Sequence, residues 1–283
     1  MTDLDSTLDA LCAAQDREDW LAARNAGFGC SDLGALWLIL GWVGEDQCDW
    51  HEVPAVDGKG KPTTKWVSNL YRKHQQTGEK DYSTPRYLWE AALPMKKTGL
   101  PRLIAEKAGL AKPKASSDAQ EEGKAKERAL FEQSRLGRFD VESRYAPDGL
   151  VLPGWRANGQ VVSENPTVLR DTEEPHLFST IEAWEWVSGK GVVAWELKTD
   201  RLGLRTKPPW AQRLQAIGQA VVMGAEAWGL IYGPEWAKTD RPSFPDLRDP
   251  VQFGPYEVKD SDRKMIRQAV GAGWDLVLKA RER

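Results

Sequence analysis

The run Val192-Val193-Ala194-Trp195-Glu196-Leu197-Lys198 constrains this chain more than any other feature. Its β-branched and aromatic residues predict a strand. Trp210, Leu214, Ile217 and Val221 then recur three or four apart, the spacing of one helix face. Pro209 suits the first turn of that helix, and Gly224 stands where it should stop. Trp228-Gly229-Leu230-Ile231-Tyr232 reads as a second strand. A strand, a helix and a strand in succession predict a mixed α/β core.

Around this unit the sequence is rich in helical signals. A first helix is predicted over about 4–15 and a second after Ser31, which can cap it. Residues 44–66 carry Gly, Pro and Asp punctuation and read as a long loop or a small hairpin. Residues 84–107 read as helical segments broken at Pro94 and Pro101. The polar stretch 110–121 reads as a mobile connector. A helix is predicted over about 123–136, with strand character on either side of the turn Pro147-Asp148-Gly149. Trp184 and Trp186 alternate as on a strand face, and an amphipathic helix closes the chain from about Asp260. The whole is expected to be a single domain over 1–283. It would have a helical part over about 1–110, the connector at 110–121 and a core over about 122–283. An inserted hairpin or lid is expected at about 153–190.

Composition narrows the chemistry. Of the 283 residues, three are cysteines and three histidines, without Cys-x-x-Cys or helical ligand spacing. That argues against disulfides, zinc and iron–sulfur centres. A bound metal would then need oxygen ligands, which favours Mg²⁺ or Mn²⁺. No apolar run is long enough for a membrane span. The start, Met1-Thr2-Asp3-Leu4-Asp5, lacks the basic and apolar regions of a secretory signal, so a cytoplasmic location is expected. The net charge of −3 does not mark a nucleic-acid binder. Locally, residues 190–215 hold six Lys and Arg against two acids, while 152–190 hold six acids against three bases. Such a contrast fits a DNA-facing side next to a solvent-facing one, and equally fits scattered charge on loops.

On a strand, Glu196 and Lys198 share a face and Leu197 takes the other. A carboxylate can hold Mg²⁺ while an ammonium orients a water or offsets charge on phosphate. Alone, such a pair also reads as an exposed charge pair. Asp148 alone reads as a turn aspartate, and Glu127 as a solvated helix glutamate. Gln212, Gln215 and Gln219 form a polar stripe, which ordinary amphipathicity also gives.

Together these residues resemble the PD-(D/E)xK nuclease superfamily, and within it the lambda-exonuclease or YqaJ-like viral recombinase branch. Trp20-Leu21-Ala22-Ala23-Arg24 with Gly27-Phe28-Gly29-Cys30-Ser31-Asp32 is similar to that branch's opening. Gly123-Lys124-x-x-Glu127, Pro147-Asp148-Gly149-Leu150, Glu196-Leu197-Lys198 and the span from Ala211 to Trp228 follow in the family's order. The resemblance runs from about residue 20 to 232. It implies a restriction-endonuclease-like core, a central mixed sheet flanked by helices. It also implies a Mg²⁺-dependent 5′-to-3′ exonuclease on double-stranded DNA ends, working beside a single-strand annealing protein in phage-type recombination. By motif, Asp148, Glu196 and the Leu197 carbonyl would hold metal, and Glu127 a second metal or its waters. Lys198 would activate water, and Gln215 would help hold the nucleophile or the lysine. Arg24 and Ser31 would bind a 5′-phosphate, though a surface arginine and a helix cap fit them as well. A phage or prophage source acting in a bacterial host and a homotrimer are further implications. The 47 residues between Asp148 and Glu196 depart from the family's shorter spacing, which weakens the trimer. Two other readings stay open: an endonuclease with the same core, and a decayed DNA-end-binding protein.

Overall fold

A computed structural model describes residues 25–43, 50–68, 84–112, 130, 143–145, 159–164, 167–180, 183–187, 190–200, 207–234 and 251–283. Its centre is a strand–helix–strand unit. Strand β9 spans Gly191–Asp200, helix α4 spans Trp210–Met223 and strand β10 spans Ala227–Pro234. β9 and β10 pair in parallel, with Glu196 opposite Leu230 and Lys198 opposite Tyr232. A parallel pair needs a crossover, and α4 supplies it.

Two more strands precede β9 in its sheet. β8 (Ala183–Val187) pairs with it antiparallel, and β4 (Ser143–Tyr145) pairs antiparallel with β8. β11 (Val251–Glu257) closes the other edge against β10, giving the order β11-β10-β9-β8-β4. The second sheet has the order β1-β7-β6-β5. Its strands are β1 (Phe28–Gly29), β5 (Gly159–Glu164), β6 (Thr167–Asp171) and β7 (Leu177–Thr180). The described residues of the 153–190 segment thus supply three strands of this sheet and the main-sheet neighbour of β9.

Helix α4 packs against β9 and β10 on one side and against β6 and β7 on the other. The predicted apolar face of Trp210, Leu214, Ile217 and Val221 is buried, and so are Ala216, Gly218, Gln219, Ala220 and Val222. A helix covered on two sides cannot be amphipathic in the ordinary way. Its second face therefore carries small residues. A Cβ on Gly218 would stand 2.6 Å from Leu33 and 2.9 Å from Cys30 Sγ. The left-handed Gly224, at φ 67°, ends the helix.

Three shorter helices and one long one surround this layer. α1 (Leu33–Ile39) follows a 3-10 turn at Cys30–Asp32, and α2 (Arg86–Ala92) and α3 (Arg102–Lys107) lie on either side of Pro94. Pro85, Pro101 and Pro209 each stand at the N-cap of a helix, where a missing N–H costs nothing. β2 (Trp50–Val56) and β3 (Pro62–Ser68) form a separate hairpin, the second of the two forms that the Gly, Pro and Asp punctuation of 44–66 allows. The last helix, α5 (Asp260–Arg281), packs on α1, α3 and α4. The helices expected at 4–15 and 123–136 and the connector at 110–121 lie wholly or mostly outside the described residues. No helix among the described residues is long and apolar enough to cross a membrane.

Candidate functional site

The centre of interest follows from alternation along β9. Val193, Trp195 and Leu197 enter one apolar cluster with Leu130, Ala183 and Ile231. Val192 and Ala194 face the other way, into the cluster built on α4. Glu196 is on that α4 side and is 0% exposed. An ionised carboxylate in an apolar layer is costly unless it is paired and hydrogen-bonded. Glu196 has both: the Lys198 ammonium pairs with one oxygen, and the Gln219 side-chain amide donates to the other. The reading of Glu196 and Lys198 as an exposed surface pair therefore fails for the carboxylate. Lys198 reaches further out, with its side chain 21% exposed. The pair spans the boundary between core and solvent.

Gln219 was legible only as one of a stripe of three glutamines. In the fold it is 2% exposed, and its Oε1 is buried with no hydrogen-bond partner. Gln215 is half-buried on the same helix, four residues nearer its N-terminus. α4 runs back along β9, so four helical residues (about 6 Å) match two strand residues (about 6.6 Å). Gln215 therefore stands level with Lys198, as Gln219 stands level with Glu196. The helix periodicity could have paired Gln219 with the site, but only the packing of α4 on β9 shows which glutamine meets the carboxylate.

Ser31 sits in the 3-10 turn before α1 and is exposed. It does not cap α1. Asp32 holds the N-cap position, and its carboxylate accepts the Gly29 N–H at 3.1 Å and pairs with Lys107 at 3.0 Å. Ser31 is thus free of the capping duty that competed with a binding role. Its neighbour Cys30 packs at Gly218, one residue before Gln219. Burial pushes the Cys30 thiol well above its usual range. The negative charges of Glu196, Asp32 and Asp171 push it further, against a hydrogen bond with Ser179 that lowers it. Cys30 is therefore a neutral packing group, since only a thiolate serves as nucleophile or metal ligand.

Arg24, Glu127 and Asp148 lie outside the described residues. The strand that leads toward Asp148 is β4, and β8 lies between it and β9, with Tyr145, Ala183 and Trp195 in one row. Two strand spacings, roughly 10 Å, separate β4 from β9. β4 itself runs parallel to β9, with its last residue Tyr145 in the row of Trp195. Among the described residues no group of three or more His, Cys, Asp or Glu could hold a metal ion. At this site those residues offer the buried Glu196 carboxylate, a hard oxygen donor suited to Mg²⁺ or Mn²⁺, with a lysine beside it.

No protein-family model matches the chain, and no curated protein matches it. Among solved structures it is similar to the crystal structure of an alkaline exonuclease (LHK-Exo) from Laribacter hongkongensis. The two share 11% identity at a TM-score of 0.44, with 94% of each chain covered. A likeness this distant assigns neither fold nor function.

Proposed function

We propose that this protein is a metal-dependent deoxyribonuclease, a 5′-to-3′ exonuclease on double-stranded DNA ends with a PD-(D/E)xK-type centre. The observation that carries the reading is the fully buried Glu196, held between Lys198 and Gln219 on one face of a central parallel strand. A buried ionised group adds little net stability compared with an apolar residue of similar size. Its position beside a partly exposed lysine fits chemistry better than packing.

In this reading Glu196, Asp148, Glu127 and the Leu197 carbonyl are the oxygen donors for the metal. Mg²⁺, when bound, supplies charge neutralisation at the phosphate and a more acidic water. Lys198 orients the attacking water and offsets charge that grows on the phosphate in the transition state. Gln215, level with Lys198, steadies the lysine or the water, and Gln219 keeps the Glu196 carboxylate turned to its partners. Arg24 and Ser31 take the 5′-phosphate of the strand being digested. Resection of DNA ends for a single-strand annealing protein in phage-type recombination, in a bacterial cytoplasm, is the biological setting proposed with it.

The test uses linear duplex DNA with a labelled 5′-phosphate, the same DNA with a 5′-hydroxyl, and closed circles, each with Mg²⁺. Wild type should degrade the linear phosphorylated duplex, spare circles, and stop when the metal is chelated. Lys198→Ala should lower the rate by about 10²–10⁴, the usual worth of a positioned proton-transfer group. Equal rates for wild type and Lys198→Ala would remove this site from the chemistry. Cutting of circles would move the reading to an endonuclease. Tight DNA binding with no hydrolysis under any divalent ion would move it to an end-binding protein.

A further inference from the structure

The four-stranded sheet has a second face, turned away from α4, and it carries Arg170, a cation that the centre around Glu196 does not use; a second unused cation, Lys107, lies 5.7 Å from the centroids of both the Phe28 and the Phe178 rings. Residues directly opposite on neighbouring strands share a face. Gly29, Phe178 and Arg170 form one row across β1, β7 and β6. Leu169 and Leu177 enter the cluster built on α4, so Phe178 and Arg170, one position along each strand, project from the opposite side. Gly29 leaves room beside the Phe178 ring, where a Cβ would stand 3.2 Å from it and 3.6 Å from Ser31 Oγ. The Lys107 ammonium lies 5.7 Å from the centroid of the same ring. Arg170, Lys107 and the Ser31 hydroxyl thus gather around Phe178.

The two cations are in different electrostatic states. Lys107 is matched by Asp32 at 3.0 Å. Arg170 is half-buried, and its Nε is buried with no hydrogen-bond partner. A guanidinium keeps its charge at any ordinary pH, so burial cannot be relieved by losing a proton. Buried donors without acceptors are uncommon in native proteins, and each asks for an explanation such as strain, a water or an ion. The planar fork of an arginine matches the oxygens of a phosphate. The cluster also adjoins the candidate centre through an unbroken path. Ser31 follows Cys30, Cys30 Sγ lies against Gly218, and Gly218 precedes Gln219, which holds Glu196.

We propose that Arg170, with Lys107 and Ser31 around the same Phe178, binds a phosphate oxyanion of the DNA strand. The identity of the ligand as DNA rests on the nuclease reading above. The availability of Arg170 for an anion rests on its own surroundings, the buried and unpartnered Nε. Arg170 belongs to the segment whose overall charge is acidic, and its function would be to give that segment one point of attachment to the strand.

Binding is measured by fluorescence anisotropy on the full chain with EDTA present, which prevents hydrolysis. The probes are duplexes with a 5′-phosphate or a 5′-hydroxyl, at several salt concentrations. Arg170→Gln should bind about tenfold more weakly, and its salt slope should fall by about one, the signature of one lost phosphate contact. Loss confined to the phosphorylated duplex identifies a terminal phosphate, and equal loss on both identifies an internal phosphodiester. Either supports the proposal. Unchanged affinity and slope in a folded Arg170→Gln protein overturn it. If that variant does not fold, Arg170→Lys is read instead. It keeps the charge and loses the fork, so about a threefold loss is expected and unchanged affinity overturns the proposal. Digestion by wild type and Lys198→Ala in Mg²⁺ is followed in parallel. Equal digestion by those two would sink the nuclease site while leaving the Arg170 binding result to stand on its own.

Discussion

Gln219 is the residue whose meaning changes most between sequence and structure. In the sequence it is the last of three glutamines on a helix stripe. In the fold it is the hydrogen-bond partner of a buried carboxylate, with its own Oε1 unpartnered. Groups that orient a metal-holding side chain commonly affect metal affinity or activity by 10- to 100-fold when removed. Under the proposed nuclease function, Gln219→Leu should therefore raise the Mg²⁺ concentration needed for half-maximal digestion by about tenfold while the far-ultraviolet circular dichroism stays unchanged. A variant with wild-type Mg²⁺ dependence would reduce Gln219 to a packing residue. Lys198 and Glu196 were legible at this scale because strand alternation alone puts them on one face. The burial of Glu196 was not, since alternation does not say which face is covered.

At the scale of elements, the unit β9-α4-β10 was readable almost to its ends. The strand, the helix and the second strand fall where β-rich character, the three-to-four spacing and the flanking Pro209 and Gly224 place them. Their contact surface was not readable. Trp195 is fully buried, and its ring lies over Gly229, its partner in the parallel register. A Cβ on Gly229 would stand 2.1 Å from that ring. The ring cannot easily move, because its Nε1 donates to the buried Glu185 at 3.0 Å. Gly229→Ala should thus destabilise the protein by about 2–3 kcal/mol, at the upper end for overpacking, measured by urea unfolding. A loss under 0.5 kcal/mol would mean that the ring adapts freely. The strands β6 and β7 were the least legible elements, because their short runs, lying among acids and turn residues, carry little periodic signal.

Across the whole molecule, α5 ties the second sheet to the rest. Arg267 on α5 grips the Asp171 carboxylate through Nε at 3.3 Å and Nη2 at 3.0 Å, and also pairs with Glu173. Asp171 in turn accepts the backbone N–H groups of Glu173 and Glu174, each at 2.8 Å. Its side chain is 0% exposed. Removing one partner of a buried pair leaves the other charge stranded, which costs about 3–5 kcal/mol. Arg267→Ala should lose about that much in urea unfolding, whereas Arg86→Ala, at an exposed pair on α2, should lose under 1 kcal/mol. Similar losses for both would show that Asp171 is screened by solvent. Nearby, the stacking of His176 on Trp274, with ring centroids 4.1 Å apart, reinforces the same join.

The sequence by itself determined the local elements and the pairing of Glu196 with Lys198, because periods of 3.6 and 2 are imposed by backbone geometry over a few residues. It also carried the order of motifs on which the nuclease resemblance rests. Only the tertiary structure decided that α4 is enclosed by two sheets, that β8 stands between β4 and β9, and that Glu196 is buried against Gln219. It alone brought Arg170 and Lys107 to the same Phe178. These outcomes depend on strands far apart in the chain coming into register, and pairing across such separations leaves no short-range pattern to read.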